Sequence, residues 1–307
     1  MSARDTVREL NSHFYERYSQ IDDSDEFWEF MLKPLRQSIR INTLKAELEY
    51  VRKRLEERFE LKPVPWAKEG FFINADNLAR IPEHSLGVIF GQEASSMIPP
   101  IVLDPKPGEL VLDMAAAPGS KTGQIAQYME NEGCLIANDM KKGRVNVLIA
   151  NLNKMGVLNA RVTIKDGRYF GRFENTFDRI LLDAPCSSVG MIRKSFKFLK
   201  EWQLKTALRY SNIQKRLILA AYKALKAGGV LVYSTCTIDP IENEEVIDYL
   251  LRKTDARIER INLPLRSSEP VLEFEGKKYS EEVRKCLRLH PQNNDSEAFF
   301  ITKIVKP

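Results

Sequence analysis

Apolar residues recur at helical spacing through the first sixty positions, as at Leu10, Phe14 and Tyr18, and this stretch predicts helices. One segment breaks that rhythm. Residues 35–43 alternate apolar and polar side chains, which predicts a strand whose outward face would offer Arg36, Arg40 and Asn42 with no acid nearby. Residues 51–59 return to helical spacing, Phe71-Phe72-Ile73 predicts another short strand, and residues 91–96 predict a helix start. The run from Pro99-Pro100 to Pro107-Gly108 predicts a turn-rich boundary, dividing residues 1–105 from residues 106–307.

From Glu109 onward strand and helix patterns alternate, the signature of a parallel sheet with crossover helices. Strands are expected at residues 110–114, 134–138, 161–164, 178–182, 230–234, 257–261 and 299–304. Helices are expected at residues 122–128, 143–154, 201–227 and 241–252. Seven strands with such connections predict an α/β, doubly wound fold. Ligands of such sheets sit beyond the carboxyl ends of the strands, so the loops there become the places to look for chemistry.

Composition narrows the class without naming a function. Of 307 residues, 43% are hydrophobic and 29% charged, which describes a globular protein, neither disordered nor fibrous. No apolar run approaches the roughly 18 residues that span a bilayer, and no secretory h-region opens the chain, so the cytoplasm is the expected address. The four cysteines are far apart and the histidines number three, so neither a disulfide framework nor a metal site is expected. Charge is uneven. Residues 1–100 hold 14 Lys+Arg against 17 Asp+Glu, leaving the remainder of the chain strongly basic within a total of +5. There Arg193, Lys194, Lys197, Lys200, Lys205, Arg209, Lys215 and Arg216 accompany a single acid, Glu201, with Phe196, Phe198, Trp202 and Tyr210 interleaved. Cations suit phosphates and rings suit unpaired bases, although a solvated helix face over core aromatics has the same composition.

The strand ends carry the chemistry. The first is followed by Ala115-Ala116-Ala117-Pro118-Gly119-Ser120-Lys121-Thr122, small residues that admit a ligand to the backbone and a helix start that offers free N–H groups. A phosphate-binding P-loop would need glycine at positions held by Ser120 and Ala115, and the dinucleotide G-x-G-x-x-G fingerprint is absent. The second strand ends at Asp139, placed to accept both hydroxyls of a ribose, and the third at Asp166, a turn former or an adenine contact. Together these loops suit S-adenosylmethionine. The fourth strand leads into Asp183-Ala184-Pro185-Cys186-Ser187-Ser188, and Ala227-Gly228-Gly229 releases the fifth, which delivers Cys236 at its end. Either cysteine alone reads as ordinary packing. Two at the lips of adjoining strands place two thiols above one crevice.

Residues 113–122, 183–190 and 233–237 together resemble the RNA (cytosine-5) methyltransferases of the Nop2/Sun (Fmu) family. Further likeness lies in Arg40-Ile41-Asn42-Thr43-Leu44-Lys45, in Gln92-Glu93-Ala94-Ser95-Ser96 and in Glu242-Asn243-Glu244, so the resemblance covers nearly the whole chain. Length and the lack of an appended domain look most like the compact archaeal tRNA-methylating members. The resemblance implies a class I methyltransferase fold (Rossmann-like) behind an α+β, RRM-like, RNA-binding domain. It implies S-adenosylmethionine as cofactor and RNA, tRNA first, as partner, with no membrane or metal.

C5 of cytosine is a poor nucleophile, and thiolate addition to C6 makes it enamine-like, dividing one hard step into easier ones. The resemblance implies that Cys236 is this nucleophile, that Asp183 binds the N3/N4 edge and that Cys186 assists release of product. Cationic surroundings are expected, because a free thiol titrates near about 8.5. For the cofactor it implies Ala115, Ala116, Ala117, Pro118, Gly119, Ser120 and Lys121 at the methionine end, Asp139 and Arg144 near the ribose, Asp166 at the adenine, and Asp183. Lys121 contacts cofactor or base. Ser120 and Ser188 stand where glycine is usual, and both are small enough to keep the backbone accessible. Residues 296–300, which replace the usual D-G-F-F, carry no assigned site role. An rRNA cytosine-C5 methyltransferase is the nearest alternative reading. A non-catalytic RNA-binding or assembly protein comes from another class and is opposed by the intact cysteines and cofactor loop. An adenine-N6 methyltransferase would want an aromatic ring where Cys186 stands.

Overall fold

A computed structural model describes residues 2–307, built on two main sheets with helices packed against them. The smaller sheet has four strands, β1 (Ser38–Ile41), β2 (Leu61–Val64), β3 (Ala67–Ile73) and β4 (Ile89–Gly91). Their order, β2-β3-β1-β4, with the helix Leu48–Glu56 after β1 and the short helix Pro82–Ser85 before β4, is the β-α-β-β-α-β plan expected of an RRM-like body. Sequence pattern found β1 and the end of β3 but missed β2 and β4. Residues 91–96 do not begin a helix: Gly91 closes β4, and the helix Ile98–Leu103 starts later.

The larger sheet contains β5 (Leu110–Asp113), β6 (Cys134–Asn138), β7 (Ala160–Thr163), β8 (Phe177–Asp183), β9 (Leu225–Thr235), β10 (Arg257–Glu259), β13 (Leu287–Leu289) and β14 (Phe299–Val305). Between β10 and β13 lies a two-stranded hairpin, β11 (Glu273–Phe274) and β12 (Lys277–Lys278). The main order is β7-β6-β5-β8-β9-β14-β10, parallel from β7 to β9, with β14 antiparallel to β9 and β10, and with β13 added against β14. All seven expected strands are present, and β13 is an eighth.

Alternation along the strands explains why both faces are covered. Leu112, Ile180, Leu182, Leu231 and Tyr233 face a core built with Ala207, Leu217, Ile218 and Ala221 of the helix Leu204–Ala224 and Val246, Ile247 and Leu250 of the helix Glu244–Lys253. Their neighbours Val111, Leu181, Val232 and Ile301 face the opposite core, shared with Ile98 and Val102 and with Ile125 and Ala126 of the helix Ser120–Tyr128. Strands buried on both sides read as continuous apolar runs, as these do. The helix expected at residues 201–227 ends at Ala224, because β9 begins at Leu225 and Gly228 turns at φ 75°.

The expected boundary region is not a turn throughout. Pro99 and Pro100 open the helix Ile98–Leu103, where their missing N–H groups cost nothing, and that helix packs on the larger sheet. The helices Ala3–Leu10, Ser12–Tyr18 and Asp25–Leu32 do not join the smaller sheet either. Phe14, Tyr18, Phe27 and Trp28 pack against Val189, Ile192, Leu199, Trp202 and Ile238, in the loops beyond β8 and β9. A bidentate pair fixes them there, with Arg17 Nε and Nη2 donating to Asp239 at 2.8 and 2.9 Å.

The outward face expected for β1 is also absent. Arg40 and Asn42 are wholly buried between the two sheets. Arg40 donates to Gln92 Oε1 at 2.9 Å and to Gln127 Oε1 of the helix Ser120–Tyr128, while Asn42 donates to Gly87 O and to Met155 O at 2.7 Å. Only Arg36 stays exposed, and the chain brings it an acid, Asp295, at 3.1 Å. The physical reason is simple: these donors find buried acceptors in the segments flanking β4 and in the second sheet's helices, which local alternation cannot foresee. Arg40→Ala would leave two buried amide oxygens without donors. It is expected to cost about 3 kcal/mol in urea unfolding, and a loss below about 1 kcal/mol would show that the two sheets dock without this contact.

Candidate active site

The carboxyl ends of β5, β8 and β9 converge on one crevice. Leu181, Leu182 and Asp183 of β8 pair in register with Val232, Tyr233 and Ser234 of β9, so the loops leaving them start side by side. Those loops carry Cys186 and Cys236, whose sulfurs stand 3.4 Å apart. Gly190 has to be glycine here, since a Cβ would lie 2.3 Å from Ala298 O and 2.9 Å from Cys236 O. Ser188 sits at φ 60°, ψ 31°, the left-handed region, where serine in place of glycine costs about 1 kcal/mol.

Asp183 is held from both sides. Lys121 Nζ lies 2.7 Å from its Oδ2, and Ser234 Oγ donates to its Oδ1 at 2.8 Å. Burial pulls the Lys121 ammonium down, but the charge and hydrogen bond of Asp183 outweigh it and hold it above its ordinary value, with Cys236 and Asp113 adding to the rise. The Cys186 thiol is pushed well up by its hydrogen bond to Cys236, by burial and by the Cys236 charge. Cys236 adds in a small way to the rise of both Lys121 and Lys194, the two cations near it.

Beside the thiols, Asp113, Ala115, Ala116, Ala117, Pro118, Ser120, Lys121 and Asp183 line one pocket. Gly119 turns at φ 107° to cap the helix Ser120–Tyr128, and a side chain there would be strained as well as pressed against Leu148. Asp113 had no assigned role from sequence. Its Oδ2 accepts from Thr122 Oγ1 at 2.7 Å, whereas its buried Oδ1 has no protein partner. Burial, with Asp183 nearby, pushes this carboxyl up to about 7.

Asp139 lies just beyond β6, buried, with Oδ1 accepting from Lys141 N and Oδ2 without a hydrogen bond, although Arg144 Nη1 comes within 3.2 Å. Arg144 also donates to Ala117 O, so it ties the acid to the pocket loop. Asp166 is not brought into this group: it caps the turn Gly167–Arg172, and both its oxygens are engaged by Arg168. Residues 296–300, given no role from sequence, border the crevice. The Phe299 ring lies 5.3 Å from Lys121 Nζ, and the buried Glu297 meets Lys194 at 2.6 Å. Burial and the neighbouring Glu93 push Glu297 up to about 7.

The basic, aromatic segment divides. Arg193 is buried and donates to the carbonyls of Lys33, Pro34 and Ser296 and to Asp295, Lys194 and Lys215 meet Glu297 and Glu245, and Trp202 stacks edge-on to Phe14. The expectation of a single acid fails because Asp295, Glu297 and Glu245 arrive from distant chain. Lys197, Lys200, Lys205, Arg209 and Arg216 remain exposed, alongside Phe196, Leu204 and Leu208.

This strand order, with a small-residue loop after β5 and acids at the ends of β5 and β6, defines a class I methyltransferase. Residues 100–305 match the family of 16S rRNA methyltransferase RsmB/F, and residues 10–94 match the N-terminal domain of 16S rRNA methyltransferase RsmF. The chain belongs to the RsmB/F methyltransferase family. It is 64% identical to the tRNA (cytosine(49)-C(5))-methyltransferase of Pyrococcus abyssi over all of both chains. It is 42% identical to the ribosomal RNA small subunit methyltransferase F of Shewanella denitrificans, covering 92% of this chain and 57% of that protein. Among solved structures, a methyltransferase homolog from Pyrococcus horikoshii superimposes with a TM-score of 0.88 at 38% identity, covering 100% of this chain and 99% of that one. NSun6 from Pyrococcus horikoshii, solved with SFG, shares the fold with a TM-score of 0.81 at 24% identity, covering 99% and 97%. Among the described residues no helix is long and apolar enough to cross a membrane, and no cluster of His, Cys, Asp and Glu could hold a metal ion.

A carboxyl whose folded pKa exceeds its unfolded one stabilises the fold fully below the unfolded value, and that contribution fades as pH rises to the folded value. For Asp113 the window runs from about pH 4 to about pH 7. Asp113→Asn should therefore gain stability relative to the parent across that window, by up to on the order of 3 kcal/mol. Parallel urea titrations at the two ends of the window check this, and a pH-independent difference would refute it.

Proposed function

We propose that this protein is an S-adenosylmethionine-dependent tRNA cytosine-C5 methyltransferase that works through a covalent bond between Cys236 and cytosine C6. The observation that carries this reading is the pair of sulfurs at 3.4 Å beside the Lys121–Asp183 pair. Full-length likeness to a tRNA (cytosine(49)-C(5))-methyltransferase supports tRNA as substrate and makes cytosine 49 the first position to test.

The cofactor fits the residues present. The unpartnered buried oxygen of Asp113, the Asp139 oxygen held only by the Arg144 ion pair, and the glycine-turned helix start at Ser120 lie around the Ala115–Lys121 loop. Ala115, Ala116, Ala117, Pro118, Gly119, Ser120 and Lys121, with Asp113 and Asp183, would hold its methionine end, and Asp139 with Arg144 its ribose. Asp166, turned to Arg168, would need a new partner to serve the adenine. When bound, S-adenosylmethionine supplies an electrophilic methyl group.

The chain's own residues do the rest. Cys236, as thiolate, adds to C6 and raises the electron density at C5. Asp183 accepts from the cytosine amino edge and stabilises the protonated ring, and Lys121 and Ser234 keep its carboxylate aimed. After the methyl group is on C5, solvent water takes the C5 proton, that C–H electron pair re-forms the C5–C6 double bond, and Cys236 leaves C6 as a thiolate, restoring the ring. Cys186, beside Cys236, assists that release.

RNA reaches the crevice over the exposed Lys197, Lys200, Lys205 and Arg209 beside Phe196, with residues 1–105 as the RNA-binding part. Base–ring stacking helps hold a flipped-out cytosine, contributing about 1–3 kcal/mol per ring. The names of the bacterial relatives favour a second reading, methylation of rRNA, but the chain spans only about six-tenths of their length.

Incubation with labelled cofactor and separate tRNA, rRNA and DNA, followed by bisulfite sequencing, tests substrate, atom and position together. Label in tRNA at C5 is expected; label confined to rRNA would replace the substrate, and label in DNA or protein alone would sink the reading. Cys236→Ala should abolish transfer while cofactor still binds, and full activity would remove it as nucleophile. Cys186→Ala should accumulate a covalent protein–RNA band on denaturing gels, and the absence of that band would deny it a part in release.

A further inference from the structure

Beyond β9 the chain doubles back and buries Glu242 completely beneath the two cysteine loops. Its carboxyl group accepts from Ser187 N at 2.9 Å and from Gln214 Nε2 at 3.1 Å, and it is hydrogen-bonded to Ser187 Oγ. Ser187 Oγ lies 3.0 Å from Thr237 Oγ1. Ser187 follows Cys186 and Thr237 follows Cys236, so one side chain links the residues next to both thiols. Gln214 completes the link by donating to Pro185 O, which precedes Cys186, at 2.8 Å. Glu242 is itself fixed: its carbonyl accepts from Tyr233 Oη at 2.6 Å, and Asn243 holds Thr235 Oγ1 and Thr237 O at 2.6 and 2.9 Å.

We infer that Glu242 is a positioning residue of methyl transfer, setting the separation of the Cys186 and Cys236 sulfurs through Ser187 and Thr237. The inference rests on the reading of both cysteines as reactive groups. One backbone bond, from Gly190 N to Cys236 O at 2.9 Å, also joins the loops; past the end of the strand pairing at Asp183 and Ser234, Glu242 supplies the side-chain link to the residues next to both thiols. Burial and the nearby Asp239 push the Glu242 carboxyl up to about 8. One carboxyl oxygen receives Ser187 N and Gln214 Nε2, and the other meets Ser187 Oγ. A glutamine reproduces that pattern, with its oxygen toward Ser187 N and Gln214 and its amide toward Ser187 Oγ.

The two thiols act in sequence on one base, Cys236 adding and Cys186 assisting release. A shift of about 1 Å between them is worth up to about a hundredfold in rate. Release should suffer first, since Cys186 must reach a base already bonded to Cys236.

The test compares Glu242→Ala, Glu242→Gln and Ser187→Ala in the full chain, with circular dichroism confirming the fold. Glu242→Ala should lower kcat by about tenfold or more with KM for tRNA nearly unchanged, and should accumulate the covalent protein–RNA band despite intact cysteines. Glu242→Gln should restore kcat to within about threefold of the parent, and Ser187→Ala should fall between them. A second readout needs no substrate: diamide oxidises two nearby thiols to a disulfide and is itself reduced to the hydrazine. The Cys186–Cys236 bond should form markedly more slowly in Glu242→Ala than in the parent. Parent-like kcat and parent-like disulfide formation in both Glu242→Ala and Ser187→Ala would overturn the inference. If Glu242→Ala does not fold, Ser187→Ala decides alone. An inactive parent enzyme would sink the proposed reaction instead, leaving the disulfide rates to judge the positioning role.

Discussion

The parallel pairing of β8 with β9 is the constraint on which the rest depends. Pairing Asp183 with Ser234 sets a carboxylate beside a hydroxyl donor and starts two loops at the same height. Each loop needs only three or two further residues to reach its cysteine. A slip of one residue in either strand would turn that strand's side chains to the other face of the sheet and shift the loop that carries its cysteine, since side chains alternate with period two. The apolar alternation that buries Leu182 and Tyr233 on one side and Leu181 and Val232 on the other makes such a slip expensive. Core packing thus enforces the geometry of the site.

Around that seam the protein buries a network of polar side chains, most of them paired. Glu242, Asn243 and Glu244 are all fully buried. The first reaches the cysteine loops, the second braces β9 and its loop, and the third pairs with Arg288 at 3.0 Å. Low local dielectric strengthens these contacts and makes any unpaired member costly, so such a network either holds as a whole or fails as a whole. The N-terminal helices extend the same scheme. Arg17 and Tyr18 meet Asp239, and His290 meets Asp22, so the walls of the crevice are latched to the first and last parts of the chain.

The basic segment after β8 shows how a composition argument divides in three dimensions. Charge and ring counts over residues 193–216 treat every side chain alike, but the helix periodicity and the N-terminal layer sort them. Arg193 and Trp202 turn inward to carbonyls and to Phe14, while Lys197, Lys200, Lys205 and Arg209 turn outward. A guanidinium with several donors can satisfy separate backbone carbonyls, which makes arginine the cation best suited to the buried place.

Sequence by itself determined the parallel sheet, its seven principal strands, the small-residue loop after β5 and the two cysteines at adjoining strand ends. Those features are written locally, in periodicity, in glycine placement and in residues a few positions apart. Asp113 stood in plain sight at the head of its loop, and its unpartnered oxygen became visible only with burial known. Tertiary structure alone decided that Arg40 and Asn42 join the two sheets, that the helices of residues 3–32 pack on the loops beyond β8 and β9, that residues 296–300 border the crevice and that Arg168 engages Asp166. It alone joined Glu242 to Ser187 and Thr237. Each of those outcomes depends on partners brought together by the fold from elsewhere in the chain, and a hydrogen bond or ion pair carries no mark in sequence until both ends are placed.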